Sequence, residues 1–179
     1  MIEVETKIRV ANPKKIRKEA RKLGRFIGTE FKVDDYYALN VDDKYPGRSL
    51  RIRKVNGFYI VNFKHGLSYK KGVHAKKEVE FKVSNINDFL NLIRDFGFKR
   101  WLRKEKRCEI YKIKDNFQIE LNNVKNLGWF VEIEFLVKKE SEIKKARDNV
   151  ANIIRKLGLD ERNAIKKGYT KMILEKMRK

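Results

Sequence analysis

The sequence predicts an α+β fold in which β-strands close into a barrel around a charged lumen, with helices packed outside. Two observations carry this. Strand-like stretches alternate charged and apolar residues, and the charged rows are grouped by position instead of scattered. Three amphipathic helical segments are available to cover the apolar rows. The 179 residues are 41% hydrophobic, which is enough for a core. They read as one domain over 1–179, built from pseudo-duplicated halves of about 1–74 and 75–179.

The elements follow in order. Residues 2–10 alternate as a strand, and Asn12-Pro13 opens a helix whose Ile16, Ala20 and Leu23 share a face before Gly24 stops it. Strands are expected near 26–39, 48–55 and 58–65, separated by an Asp/Lys/Pro/Gly turn and by Asn56-Gly57, a hairpin signal. A loop over His65–Val73 leads to a strand at 75–83. Ser84 then caps a helix striped by Ile86, Phe89, Leu90 and Ile93 and ending at Gly97. Strands near 98–113, 116–122 and 129–138 precede a helix from Ser141 to Leu157, and short helical segments close the chain, with Tyr169, Ile173 and Met177 available for packing. The strand–helix units ending at Leu23-Gly24 and Phe96-Gly97 resemble each other, which is the basis for the two halves.

The polar rows carry the functional information. Glu3, Glu5, Lys7 and Arg9 share one face of the first strand. Other rows are Arg51 and Arg53; Asn62 and Lys64; Lys76, Glu78 and Glu80; Lys104 and Lys106; Gln118, Glu120 and Asn122; and Glu132 and Glu134. Opposite faces are mostly apolar, as in Ile2, Val4 and Ile8, with Phe130 and Ile133 less regular. An open sheet with its charges in solvent reads the same alternation. The mixing of glutamates with Arg and Lys on neighbouring rows favours closure, which turns those rows inward.

Inward cations call for a polyanion, and inward glutamates would repel it. A divalent ion resolves the conflict, because carboxylate and phosphate oxygens are both hard ligands for Mg²⁺ or Mn²⁺. Arg and Lys then neutralise the remaining phosphate oxygens. A triphosphate with bound metal satisfies this set; duplex DNA would not enter.

Composition bounds the alternatives. Lys and Arg number 45 against 24 Asp and Glu, a formal charge of +21, which indicates either a polyanionic partner or a solubilising surface. Cys108 stands alone, which excludes an intramolecular disulfide and a Cys-based zinc site. His65 and His74 read as surface loop residues. The first strand begins at once, so no signal peptide is expected. No apolar run approaches the ~20 residues of a membrane span. The expected location is cytoplasmic.

These residues resemble the CYTH superfamily, the triphosphate tunnel metalloenzymes, which includes class IV adenylyl cyclases, thiamine triphosphatases and inorganic triphosphatases. Glu3-Val4-Glu5-Thr6-Lys7 is similar to its Glu-x-Glu-x-Lys signature. Asp35-Tyr36, Leu50–Arg53, Phe63-Lys64, Glu78-Val79-Glu80, Lys104–Arg107, Leu121–Val124, Leu127–Glu134 and Gly168-Tyr169 follow in the family's order. The resemblance implies an eight-stranded antiparallel tunnel that binds a triphosphate (ATP, thiamine triphosphate or tripolyphosphate) with one or two Mg²⁺ or Mn²⁺ ions.

By the same resemblance, Glu3, Glu5 and Glu132 bear on the metal, joined by Glu80 and Glu134, and with Lys7 they form the catalytic set. Lys7, Arg9, Arg51, Arg53, Lys64, Lys104 and Lys106 or Arg107 hold phosphates; which of Lys106 and Arg107 points inward stays open. The chain departs from the family at Asn122, where Asp is usual. Asn is uncharged and a poor base. Glu120, two residues earlier on the same face, either replaces it as a metal ligand or merely pairs with a lumen lysine in a tunnel that works with one metal ion.

The implied reaction is either triphosphate hydrolysis or conversion of ATP to cyclic AMP and pyrophosphate. A second class is a non-catalytic polyphosphate- or RNA-binding protein, supported by the net charge and the basic Lys14–Arg25 segment, which also reads as a solvated helix face. Nucleic acid is thus a secondary partner, no membrane partner is expected, and a homodimer is an open alternative.

Overall fold

The computed structural model describes residues 1–41, 46 and 49–178, with Lys64 and His65 described by their backbone alone. Most of the expected Asp/Lys/Pro/Gly turn lies outside the described residues. Eight strands form a closed antiparallel barrel: β1 (Ile2–Arg9), β2 (Arg25–Ala38), β3 (Leu50–Val55), β4 (Phe58–Lys70), β5 (Val73–Val83), β6 (Lys99–Lys114), β7 (Phe117–Val124) and β8 (Gly128–Val137). The ring order is β1-β5-β4-β3-β2-β6-β7-β8, closed by β8 against β1. Four helices accompany it: α1 (Pro13–Leu23), α2 (Ile86–Asp95), α3 (Ile143–Lys156) and α4 (Tyr169–Met177). Exchanging β1–β4 with β5–β8 maps the ring order onto itself.

The helices lie where the apolar rows need cover. Asn12 caps α1 by accepting from the Lys15 amide at 3.1 Å, and Pro13 occupies the first turn, where its missing N–H costs nothing. The helix buries Ile16 and Ala20 and ends at Gly24, where a Cβ would stand 2.9 Å from the Lys112 carbonyl oxygen. With α3, it seals one core over Val4, Ile8, Ile119, Leu121, Val131 and Ile133. Helix α2 seals a second core, Ile93 against Ile52 and Val61. A third cluster, Val124, Phe130 and Tyr169, closes one end of the barrel under α4.

Three local expectations change. The loop expected over His65–Val73 is strand up to Lys70, followed by a tight turn at Lys71-Gly72 with φ of 49° and 76°. Strand β5 therefore starts at Val73, and His74 is a paired strand residue stacked on Tyr69 with ring centroids 4.5 Å apart. The cap of α2 is Asn85, not Ser84; its side chain accepts from the Asp88 amide at 3.2 Å. Phe130 shares the inward face of Glu132 and Glu134 and fills the barrel's closed end.

Candidate active site in the barrel lumen

Inward rows from all eight strands converge on a cavity of about 740 Å³. Its lining includes Glu3, Glu5, Lys7, Arg51, Arg53, Glu80, Lys104, Lys106, Glu120, Glu132 and Glu134. It also includes Lys32, Lys76, Glu78, Asn62 and Gln118. Alternation explains the selection: each strand sends every second side chain inward, and the helices claim the others.

Two sequence candidates fall elsewhere, and the side chain of a third lies outside the described residues. Arg107 is exposed on the outer face, so Lys106 is the inward member of that pair. Arg9 shares the inward face but lies past the closed end. Its guanidinium stacks on the Phe130 ring at 4.7 Å, donates to the Leu127 carbonyl at 2.7 Å and lines a second cleft with Lys166, Lys167 and Lys171. The Lys64 backbone pairs with Glu78 in the barrel wall; its side chain is outside the described residues.

The carboxylates form two clusters. Glu3, Glu5 and Glu134 offer oxygens that all lie within 4.8 Å of one another, and so do Glu120, Glu132 and Glu134. Register brings them together: Glu5 stands directly opposite Glu134 on β1 and β8, and Glu120 opposite Glu132 on β7 and β8. Like charges facing each other across strands are destabilising unless a cation intervenes.

In the second cluster protein groups intervene. Lys106 Nζ donates to Glu120 at 2.9 Å and to Glu132 at 3.2 Å, and Asn122 Nδ2 donates to Glu132 at 2.7 Å and Glu120 at 3.3 Å. Asn122 thus serves as a donor between two carboxylates, where an aspartate would add a third negative charge. Glu120 is further held by Lys32 at 2.9 Å. Burial would raise the Glu120 pKa, but Lys106 and Lys32 overcome it and hold the carboxyl well below its usual range.

The first cluster could also hold a metal. Its Glu5 pairs with Lys76, whose side chain is 26% exposed and can swing toward solvent. Three hard carboxylates with an exchangeable ammonium suit Mg²⁺ or Mn²⁺. Glu80 lies at the open mouth, where it accepts from Asn62 at 3.4 Å, and belongs to neither cluster.

Three further cations, on β3 and β6, gather around Asp34 on β2. Arg53 binds Asp34 through two parallel bonds of 2.7 and 3.0 Å, and Lys104 reaches the same carboxylate at 2.8 Å. Arg51 touches it only loosely, at 3.9 Å, and reaches Glu78 at 3.6 Å. Lys7 forms a different contact, its ammonium 4.3 Å above the Tyr169 ring. Burial lowers its pKa, with Glu132 and Glu5 opposing. The buried Tyr169 hydroxyl is pushed well above its usual value by burial and by Glu132, Glu120 and Glu5, so it stays protonated.

Sequence reasoning missed Lys32 and Asp34, and gave Tyr169 packing and a place in the Gly168-Tyr169 motif but no site role. The missed signal was alternation in β2, where Glu30, Lys32, Asp34 and Tyr36 repeat every second residue.

Comparison with known proteins accords with this geometry. The CYTH domain model matches residues 1–169. The chain belongs to the CYTH domain family. A Methanocaldococcus jannaschii protein named as a candidate adenylate cyclase is 29% identical over 174 residues, 96% of this chain and 98% of that one. A solved Pyrococcus horikoshii structure is 30% identical across 94% of this chain and 98% of its own, with a TM-score of 0.79. A Hippeastrum protein, named as a candidate adenylyl cyclase with dominant triphosphatase activity, shares the fold at 15% identity and a TM-score of 0.66, over 99% of this chain and 96% of that one. A CYTH assignment accounts for the charged lumen that neither core required.

Proposed function

We propose that this chain is a divalent-metal-dependent enzyme that acts on triphosphates inside its barrel, with hydrolysis as the leading reaction. The observation that carries the reading is a single cavity lined by clustered carboxylates together with Arg and Lys side chains. Glu3, Glu5 and Glu134 would hold Mg²⁺ or Mn²⁺, which supplies Lewis-acid neutralisation of phosphate oxygens. Arg51, Arg53, Lys104 and Lys106 would bind the phosphate chain by charge-assisted hydrogen bonds and fix its orientation. Lys7, held over Tyr169 and loosely balanced by glutamates, would take a further phosphate oxygen. Glu132, oriented by Lys106 and Asn122, would accept a hydrogen bond from an attacking water.

Family membership supports adenylyl cyclase activity as the second reading, and that reaction needs base and ribose contacts beyond the phosphate set. Incubation of tripolyphosphate, thiamine triphosphate and ATP with Mg²⁺ or Mn²⁺ separates the readings. Orthophosphate release supports the hydrolase, and cyclic AMP with pyrophosphate supports the cyclase. No product from any of the three, with tripolyphosphate still bound, would favour a binding protein. The second cleft, with Arg9, Lys166, Lys167 and Lys171, would then be the place to test for RNA.

A further inference from the structure

We propose that Asp34 is a positioning residue that assembles the phosphate-binding cations, an inference that rests on the lumen being the triphosphate site. Asp34 is completely buried, and its strand explains why it can organise a set. β2 lies between β3 and β6, and Asp34 stands directly opposite Arg53 on one side and Lys104 on the other. Both bind it at 2.7–3.0 Å, and Arg51 approaches to 3.9 Å.

One carboxylate thus gathers Arg53 and Lys104 and is approached by Arg51, which also faces Glu78 at 3.6 Å. The group keeps a positive surplus suited to phosphoryl oxygens. The bonds also leave donors to spare: Asp34 occupies two of the five N–H donors of Arg53, and the buried Nε of Arg51 has no hydrogen-bond partner. Burial would raise the Asp34 pKa, but Lys104, Arg53 and Arg51 hold it well below its usual range, so the organising charge persists at neutral pH.

A carboxylate in an anion site has two opposed effects. Its charge repels the ligand, and its geometry holds cations that would otherwise repel one another and turn away. Fixed donors are worth more than mobile ones because their ordering cost is met before binding. The structure favours the second effect, because both Arg53 bonds and the Lys104 bond are short and anchored on a fully buried carboxylate. A purely stabilising ion pair would make no such demand on ligand affinity.

The test is the affinity of metal-free protein for tripolyphosphate, by calorimetry, for wild type and Asp34→Asn, with Mn²⁺ binding measured separately. The proposal expects the variant to bind tripolyphosphate roughly tenfold or more weakly although its lumen has gained a positive charge. Mn²⁺ affinity should be unchanged, because the carboxylates proposed to hold it lie on β1 and β8. Equal or tighter tripolyphosphate binding by the variant overturns the role of Asp34 and leaves the triphosphate reading standing. If metal-free wild type does not bind tripolyphosphate, the same comparison is made with Mn²⁺ present; wild-type protein that binds in neither condition overturns both. Should Asp34→Asn fail to fold, Asp34→Glu keeps the charge and displaces it; a several-fold weaker affinity is expected, and an unchanged one overturns the proposal.

Discussion

Replacing Glu120 by Gln removes one charge from a chain of buried ions and leaves two ammonium groups facing it. Its side chain is 4% exposed, that of Lys32 7% and that of Lys106 4%. Breaking one partner out of a buried pair costs about 3–5 kcal/mol, because the remaining charge stays desolvated. Here the lower end applies. Lys106 keeps Glu132 at 3.2 Å, Lys32 keeps Glu30 at 3.2 Å, and the Gln carbonyl can still accept from one ammonium. A loss of about 3 kcal/mol in a domain of this size lowers Tm by roughly 6–12 °C. Calorimetric melts of both proteins in chelator at neutral pH measure it directly. A Tm within about 2 °C of wild type would mean that the lysines find water instead, and that the barrel interior is wetter than its exposures indicate.

Glu3→Gln and Glu5→Gln should each weaken Mn²⁺ binding and abolish metal-dependent turnover with the fold retained; two variants with wild-type rates and circular dichroism would remove the first carboxylate cluster from consideration. Arg51→Ala should weaken tripolyphosphate binding by about 1.5–3 kcal/mol, ten- to a hundredfold, with little change in Tm, whereas Arg53→Ala should lower both affinity and Tm because it also strips the partner of Asp34. Unchanged calorimetric affinity in both would show that neither guanidinium meets the ligand. Acid should also unfold the protein early. Asp34 and Glu120 have folded pKa values depressed below ordinary values of 3.8 and 4.5, so the stability they add is complete above about pH 5 and is lost as pH falls toward the folded values. Urea melts that stay flat from pH 7 to pH 3 would contradict both assignments.

Alternation made the barrel legible because a strand's period of two sorts residues whatever the rest of the chain does. Glu3, Glu5 and Lys7 could be placed on one face from β1 alone. Closure was harder, since Ile2, Val4 and Ile8 would be equally buried under helices in an open sheet; the registers of β1 with β5 and with β8 decide it, and register is a relation between strands. The same limit explains Arg9, which has the inward parity of Lys7 but lies beyond Phe130, at a depth that parity does not encode. Arg107 beside Lys106 was undecidable until pairing with β2 and β7 set the face. Asp34 was readable and went unread: in Val33-Asp34-Asp35-Tyr36 two adjacent acids hide the alternation, and Asp35 instead pairs on the outside with Arg103 at 2.8 Å.

The excess of positive charge has a location that composition does not give. Among the described lining residues, the cations Lys7, Lys32, Arg51, Arg53, Lys76, Lys104 and Lys106 are matched in number by Glu3, Glu5, Glu78, Glu80, Glu120, Glu132 and Glu134. The described lining residues therefore contribute nothing net to the formal +21. Net charge and triphosphate affinity are then independent properties of this protein. Surface attraction to a polyanion decays over about 10 Å at 0.1 M salt, while contacts inside the barrel are shielded from bulk ions by the wall. Under the proposed function, a ligand bound in the lumen would be selected by the arrangement of balanced charges, in which Glu5, Glu78, Glu120 and Glu132 pair with cations, and by the exchange of internal partners such as Lys76 for the ligand's own metal. That is why the glutamate rows, which oppose a polyanion one by one, are compatible with a site built to hold one.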